Sequence, residues 1–183
     1  NILKDMGNIN SLRLTMFGKM FSGEEKQSIS LGWKKKLGYN KIKIMEKFIW
    51  TEEYSVAIKE IDEQHRHFFE IANEILDLVS KENPTKKEVF SALEKLGNYA
   101  FYHFGTEEGY FDKFGYQEAP LHIDAHNEYR ETIKKYLEDI RKEETDVKKM
   151  TEATASYSSN WLSQHILLMD KKYTKFFTEH GLN

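Results

Sequence analysis

Apolar residues recur at helical spacing in four long segments of this chain, and each segment carries one apolar stripe. Breaking residues separate the segments, with Pro84 after the first and Gly115 after the second. The period-two alternation that indicates strands is absent from the sequence. Short connections between long amphipathic helices predict an all-α fold, an antiparallel up-down-up-down four-helix bundle with an N-terminal arm. The predicted helices cover about residues 62–81, 85–114, 120–140 and 146–177.

The first 44 residues differ from this pattern, because Asn, Lys, Ser and Gly are mixed with apolar residues at no sustained period. We therefore divide the chain into residues 1–44, an N-terminal extension that is disordered or not native, and residues 45–183, the four-helix domain. Met45 is a candidate natural start. Alternatively, residues 1–44 are a linker from an upstream segment.

Composition narrows the classes of function. Charged residues make up 31% of the 183 residues and the net charge is −3, which gives no strong field for nucleic acid. Cysteine is absent, which excludes disulfides, thiolate zinc sites and iron–sulfur ligation, and is compatible with a reducing compartment. The sequence lacks the ~20 consecutive apolar residues of a membrane span, and residues 1–30 lack the apolar stretch of a secretory signal. We therefore expect a cytoplasmic protein without a membrane span.

Histidines and acidic residues interrupt the apolar stripes, where a polar group is costly unless it has a partner. Five imidazoles and two carboxylates, without any thiol, are the donor set of a nitrogen and oxygen metal site. Seven donors exceed the four of a structural zinc ion, and they suit two metal ions that share bridging carboxylates. The predicted ligands are His65, His103, Glu107, His122, His126, His165 and Asp170.

Helical spacing supports a shared metal site more strongly for some of these residues than for others. Residues four apart lie about 40° apart around a helix axis, so His103 and Glu107 present their donors side by side. The H-x-x-x-H pair of the third segment repeats this spacing. His165 and Asp170 are five apart, about 140° around the axis, so we expect the short carboxylate to reach across the helix.

The competing interpretation treats these histidines as hydrogen-bonded core residues. That interpretation suits a lone histidine, whereas a group or pair on each of four helices, near one level of the bundle, favours a shared site. Two further histidines provide a contrast. His67 lies about 200° around the helix from His65, and His180 lies about 22 Å along the axis beyond His165. We therefore expect both to lie outside the site.

These residues resemble the hemerythrins, most closely the single-domain bacterial members, over about residues 48–178. The matching positions are Trp50, Ile61-Asp62-Glu63-Gln64-His65, Tyr102-His103-Phe104 with Glu107, His122-x-x-x-His126, and Trp161-Leu162-x-x-His165-Ile166-x-x-x-Asp170. The resemblance implies a centre of two non-heme iron ions with a bridging oxo or hydroxo group. It further implies that one iron is held by His122, His126 and His165, the other by His65 and His103, and that Glu107 and Asp170 bridge them.

The resemblance also implies that dioxygen binds at an open position of the two-histidine iron. An apolar wall beside that position would be formed by Phe104, Trp161, Leu162 and Ile166, with plain core packing as the competing interpretation. The predicted function is reversible dioxygen binding for storage, delivery or buffering, without catalytic residues. The resemblance identifies no protein partner. Two alternatives stay open: an oxygen or redox sensor domain, and a di-iron enzyme that reduces nitric oxide or peroxide.

Overall fold

The predicted four-helix bundle is confirmed. The structure, a computed structural model, describes residues 46–183, so the interpretation of residues 1–44 as an extension and of Met45 as a start lies outside the described residues. Every regular element within residues 46–183 is helical. The elements are a short 3-10 helix (Glu52–Tyr54), α1 (Lys59–Val79), α2 (Lys86–Phe114), α3 (Ala119–Arg141), α4 (Val147–His165), a π turn (Ile166–Asp170) and α5 (Lys171–Glu179).

The helices form four rods around one core. Helix α1 packs against α2 and α4, α2 packs against α3, and α3 packs against α4. The fourth rod consists of α4, the π turn and α5, because the backbone keeps right-handed helical angles through both junctions. Within residues 46–183, no helix carries an apolar stretch long enough to cross a lipid bilayer.

Local sequence signals set the ends of the helices. The Thr85 hydroxyl accepts a hydrogen bond from the Glu88 N–H, and the Glu88 carboxylate accepts one from the Thr85 N–H, which completes a capping box at the start of α2. Gly115 ends α2 in the left-handed region, with φ of 68°. Pro120 lies in the first turn of α3, where its missing N–H is tolerated. The predicted end of α2 and the predicted start of α3 are thereby confirmed.

The N-terminal arm, residues 46–58, lies along α1. The Phe48 N–H donates to Asn73 Oδ1 at 2.8 Å, and Asn73 Nδ2 donates back to the Phe48 carbonyl at 3.0 Å. Where the arm enters the helix, the Asp62 carboxylate accepts a hydrogen bond of 2.7 Å from the Val56 N–H. The bond to Asp62 fixes the start of α1, which carries the first of the predicted ligands, and the bonds to Asn73 hold the arm against the later turns of the helix.

The fourth rod corrects one geometric expectation. We expected an α-helix from about 146 to 177, with Asp170 about 140° around the axis from His165. Instead, Ile166–Asp170 form a π turn, in which hydrogen bonds close between residues five apart. Residues at this spacing therefore lie one turn apart on the same face, and the Asp170 carboxylate does not have to reach across the helix.

Single-residue deletions test the π turn. Removal of Leu168 shortens the spacing between His165 and Asp170 to four, so a continuous α-helix keeps both on one face and preserves the register of α5. Removal of Asn160, earlier in the same rod, rotates every later side chain by about 100°. We expect cooperative thermal unfolding of the Leu168 deletion, and a much lower midpoint or no cooperative transition for the Asn160 deletion. Equal unfolding midpoints for the Leu168 and Asn160 deletions would contradict the presence of a π turn at Ile166–Asp170.

Candidate metal centre

Seven buried side chains from the four rods converge in the middle of the bundle, and they are the seven predicted ligands. Their donor atoms form two overlapping groups within residues 46–183, and in each group these atoms lie within 4.8 Å of one another. The structure thus brings all seven residues together, while their role as metal ligands stays a prediction. One group is Glu107, His122, His126 and His165, and the other is His65, His103, Glu107 and Asp170.

Imidazole nitrogens face one another in the first group. His165 Nε2 lies 2.9 Å from His122 Nε2 and 3.1 Å from His126 Nε2. A neutral imidazole carries one N–H and one lone pair, so three converging Nε2 atoms cannot all satisfy one another by hydrogen bonds. A cation between them would accept all three lone pairs.

The Asp170 carboxylate lies between the two groups and presents a different oxygen to each. Its Oδ1 atom is 3.1 Å from the Nε2 atoms of both His122 and His165. Its Oδ2 atom is 3.2 Å from His65 Nε2 in the second group. This geometry is suited to a bridging carboxylate, and the π turn produces it.

The Glu107 carboxylate is arranged differently. Its Oε2 atom lies 3.1 Å from His126 Nε2 and 3.9 Å from His103 Nε2, so one oxygen faces both groups. Its Oε1 atom accepts a hydrogen bond from the buried Tyr173 hydroxyl. Tyr173 therefore fixes the rotation of the Glu107 carboxylate and leaves Oε2 directed into the cluster.

Several of these buried polar atoms lack a hydrogen-bond partner among residues 46–183, which is costly in a folded protein. The His65 and Asp170 side chains approach to 3.2 Å, but without hydrogen-bonding geometry. Cations bound in the cluster would satisfy all of these atoms except Nδ1 of His65, because Nε2 is the nitrogen of that ring that faces the cluster. Imidazole with carboxylate is a donor set that suits iron. The atoms are both ring nitrogens of His65, Oε2 of Glu107, and both carboxylate oxygens of Asp170.

Electrostatics favour the metal-binding protonation states of two histidines and both carboxylates of the cluster. His126 is the exception, because burial acts to lower its pKa but the carboxylates of Glu107 and Glu108 outweigh burial and raise it. Burial lowers the pKa of His103 to about 3 and that of His165 to about 4, so both imidazoles are neutral at pH 7. Burial and the charge of Asp170 act to raise the pKa of Glu107, but His103 and neighbouring imidazoles outweigh them and hold it at about 2. Imidazoles likewise hold the pKa of Asp170 well below its usual value. Neutral imidazole and ionised carboxylate are the forms that bind metal.

Sequence reasoning missed the residues that support the ligands from behind. Gln64 accepts a hydrogen bond from His103 Nδ1, and Glu108 accepts one from His126 Nδ1. Tyr173, which holds Glu107, was missed as well. Gln64 and Glu108 each directly adjoin a predicted ligand in the sequence. This adjacency is the one sequence feature that could have indicated a role beside the ligands.

The four residues of the predicted apolar wall are buried in the structure. The Trp161 ring stacks on the His165 ring, with centroids 4.1 Å apart and an interplanar angle of 12°. The Phe104 ring stacks on the His126 ring at 4.0 Å and 5°. The Phe104 and Trp161 rings thus hold the planes of two imidazoles in place. That the four residues form a wall beside an open metal position stays a prediction for Phe104, Trp161, Leu162 and Ile166.

The two histidines expected outside the site do lie outside the cluster. His67 is exposed on α1, and its Nδ1 atom contacts Glu70 at 2.8 Å. His180 is exposed beyond the end of α5, where its Nδ1 atom bonds the Phe176 carbonyl.

Comparison with known proteins places this bundle in a family. Residues 56–177 match the family described as Hemerythrin HHE cation binding domain. A bacteriohemerythrin of Clostridium acetobutylicum is 29% identical over 128 residues, which cover 69% of this chain and 98% of the relative. A bacteriohemerythrin of Methylococcus capsulatus is 26% identical over 125 residues, which cover 68% of this chain and 92% of the relative. The crystal structure of a wild-type hemerythrin superposes with a TM-score of 0.64 at 25% identity, over 71% of this chain and 97% of that one.

The chain therefore belongs to the hemerythrin family, as the resemblance implied. Family membership and the buried cluster of histidines and carboxylates together point to a non-heme iron site.

Metal binding is expected to stabilise the fold. Without iron, buried polar atoms of the cluster lack partners, and a metal that binds the native state alone shifts the unfolding equilibrium by mass action. We expect the iron-loaded protein to unfold at a higher temperature than the same protein after iron removal. Calorimetry of the two forms checks this, and identical unfolding curves would contradict it.

Proposed function

We propose that this protein binds dioxygen reversibly at a centre of two non-heme iron ions, for storage, delivery or buffering, and acts as a binding protein and not as an enzyme. The observation that carries the proposal is the unequal division of histidines between the two groups. Three imidazoles face one position and two face the other, while both carboxylates contact the two groups. One metal position therefore has one protein ligand fewer, which leaves room for an exogenous ligand.

The distances support the proposed ligand assignment. Asp170 would bridge the two ions through its two oxygens and Glu107 through Oε2, together with an oxo or hydroxo group. When bound, the di-iron centre supplies the electrons for reversible binding of dioxygen. One iron is held by His122, His126 and His165, and the other by His65 and His103.

The charge of the ligand set supports binding in preference to oxidation chemistry. Five neutral imidazoles and two carboxylates form a less anionic set than the glutamate-rich centres of ferritin-like bundles. A less anionic set stabilises the ferric state less, so a bound oxidant is released more readily. The buried rings of Phe104 and Trp161 further exclude water from the imidazoles that they cover.

The proposal is tested by an optical spectrum of reduced, iron-loaded protein before and after exposure to air. We expect a new charge-transfer absorption that disappears when oxygen is removed, over repeated cycles. Unchanged absorption in air, or an oxidised spectrum that persists after oxygen is removed, would contradict reversible binding.

Iron content tests the assignment of ligands. We expect two iron ions per chain in protein loaded with iron. Replacement of His126 with Ala removes one donor and should lose most of the iron, because the Nε2 atom lies within 3.1 Å of both His165 Nε2 and Glu107 Oε2. His67→Ala is the matched control and should keep both ions, since His67 is exposed. One ion in the parent, or equal loss in both variants, would contradict the assignment.

Replacement of Leu162 tests the apolar wall. Leu162 is buried and lies three residues before His165, about 60° from it and one turn away. Leu162→Ala creates a cavity that water can enter. We expect faster oxidation in air with unchanged iron content. Leu93→Ala, a buried leucine about 15 Å from His103 along α2, controls for lost stability and should oxidise like the parent. If the Leu162 variant also oxidised at the parent rate, the wall assignment would be wrong.

A further inference from the structure

One histidine of each group is supported from behind by a side chain of different charge. His103 Nδ1 lies 2.9 Å from the amide oxygen Oε1 of Gln64. His126 Nδ1 lies 2.8 Å from the carboxylate oxygen Oε1 of Glu108. The two contacts share their geometry and differ by one formal charge, so they affect the two metal positions unequally.

The orientation of the Gln64 amide is fixed by its own hydrogen bonds. Its Nε2 atom donates to the Tyr102 hydroxyl and to Thr106 Oγ1, each at 3.3 Å. The Thr106 hydroxyl donates its own proton to the Tyr102 carbonyl, so it can only accept from Gln64. The Gln64 oxygen Oε1 therefore faces His103, and because this oxygen can only accept, His103 Nδ1 carries the proton. The lone pair of His103 is then on Nε2, directed into the cluster.

The Glu108 carboxylate is held by an ion pair. Arg130 Nη1 lies 2.9 Å from Glu108 Oε1, and the guanidinium also lies over the Phe104 ring at 5.3 Å from its centroid. A carboxylate can only accept, so His126 Nδ1 also donates and His126 Nε2 also faces the cluster. Arg130 offsets part of the Glu108 charge, but Glu108 Oε1 is in direct contact with His126 Nδ1. The side chains of Glu108 and Arg130 are 26% and 21% exposed, so solvent also screens this charge only in part.

A carboxylate acceptor makes a ligating imidazole a stronger donor than a neutral amide acceptor does, because it stabilises the positive charge that the ring acquires on binding metal. The effect is greater for a trivalent ion than for a divalent one. A carboxylate behind a ligand therefore raises metal affinity and lowers the reduction potential at that position.

We propose that Glu108 and Gln64 are positioning residues that make the two metal positions unequal beyond their ligand count. Glu108, through His126, makes the three-histidine position the tighter one and the more easily oxidised one. Gln64, through His103, fixes the imidazole without adding charge, so the two-histidine position keeps its ion in the reduced form more readily. This inference rests on the proposed di-iron function and specifies which position is oxidised first.

Exchanging the amide and carboxylate groups at positions 64 and 108 tests this inference, because Gln and Glu side chains have nearly the same shape. Glu108→Gln keeps an acceptor for His126 and removes the charge, whereas Gln64→Glu adds a charge behind His103. Stepwise titration of metal-free protein with cobalt(II) alone measures both positions. We expect Glu108→Gln to weaken the tighter step by roughly tenfold or more, and Gln64→Glu to strengthen the weaker step.

Potentiometric titration of iron-loaded protein gives a second readout, which a purely structural role would not move. The midpoint potential should rise in Glu108→Gln and fall in Gln64→Glu. Glu70→Gln is the matched control, because Glu70 makes the same 2.8 Å contact with the exposed His67 and its loss changes the net charge equally. Neither the cobalt affinities nor the potential should change in this control.

The outcomes separate this inference from the proposed function. If the parent binds fewer than two cobalt ions, the di-iron proposal fails. If the parent binds two, and Glu108→Gln leaves both the stepwise affinities and the potential at parent values, the inference is overturned while the di-iron centre stands. Gln64→Glu buries a charge, so circular dichroism first establishes that it folds. If Gln64→Glu does not fold, the comparison of Glu108→Gln with Glu70→Gln alone tests whether the charge of Glu108 acts on the metal position.

Discussion

The structure depends on one constraint, which is that five imidazoles and two carboxylates are buried at the centre of a bundle whose other core residues are mostly apolar. Such groups are costly in an apolar core unless each finds a partner. Several of their atoms find none among residues 46–183, and, apart from Nδ1 of His65, these unsatisfied atoms face donor atoms of the other ligands. The helices are therefore arranged to present these groups to metal ions, and the surrounding aromatic rings hold the imidazole planes.

Two devices adapt a regular bundle to this purpose. The π turn adds one residue to the fourth rod, so that Asp170 returns to the face of His165 and places one oxygen toward each group. The outer hydrogen bonds act on the other side of the ligands. Gln64 and Glu108 fix which nitrogen of His103 and His126 carries the proton, which leaves the other nitrogen free for metal.

Much of this could be predicted from the sequence, because a helix converts spacing into direction. The apolar stripes predicted the bundle, and spacings of four placed His103 beside Glu107. The π turn was not predicted, because its trace in the sequence is a shift of about 100° in the phase of the apolar stripe after it. Spacing within one regular α-helix therefore misjudged the direction of Asp170. The hydrogen bonds of Gln64 and Glu108 to ligand histidines were missed. Each of these bonds joins two different helices, and the spacing of residues along one helix carries no information about such contacts.

The central claim is that this one cluster holds two iron ions between unequal sets of ligands. A crystal structure of the iron-loaded protein, with anomalous diffraction measured on both sides of the iron absorption edge, tests it most directly. The account predicts two iron peaks, one among His122, His126 and His165 and one beside His65 and His103, with Asp170 between them. A single peak, or peaks outside this cluster, would contradict it.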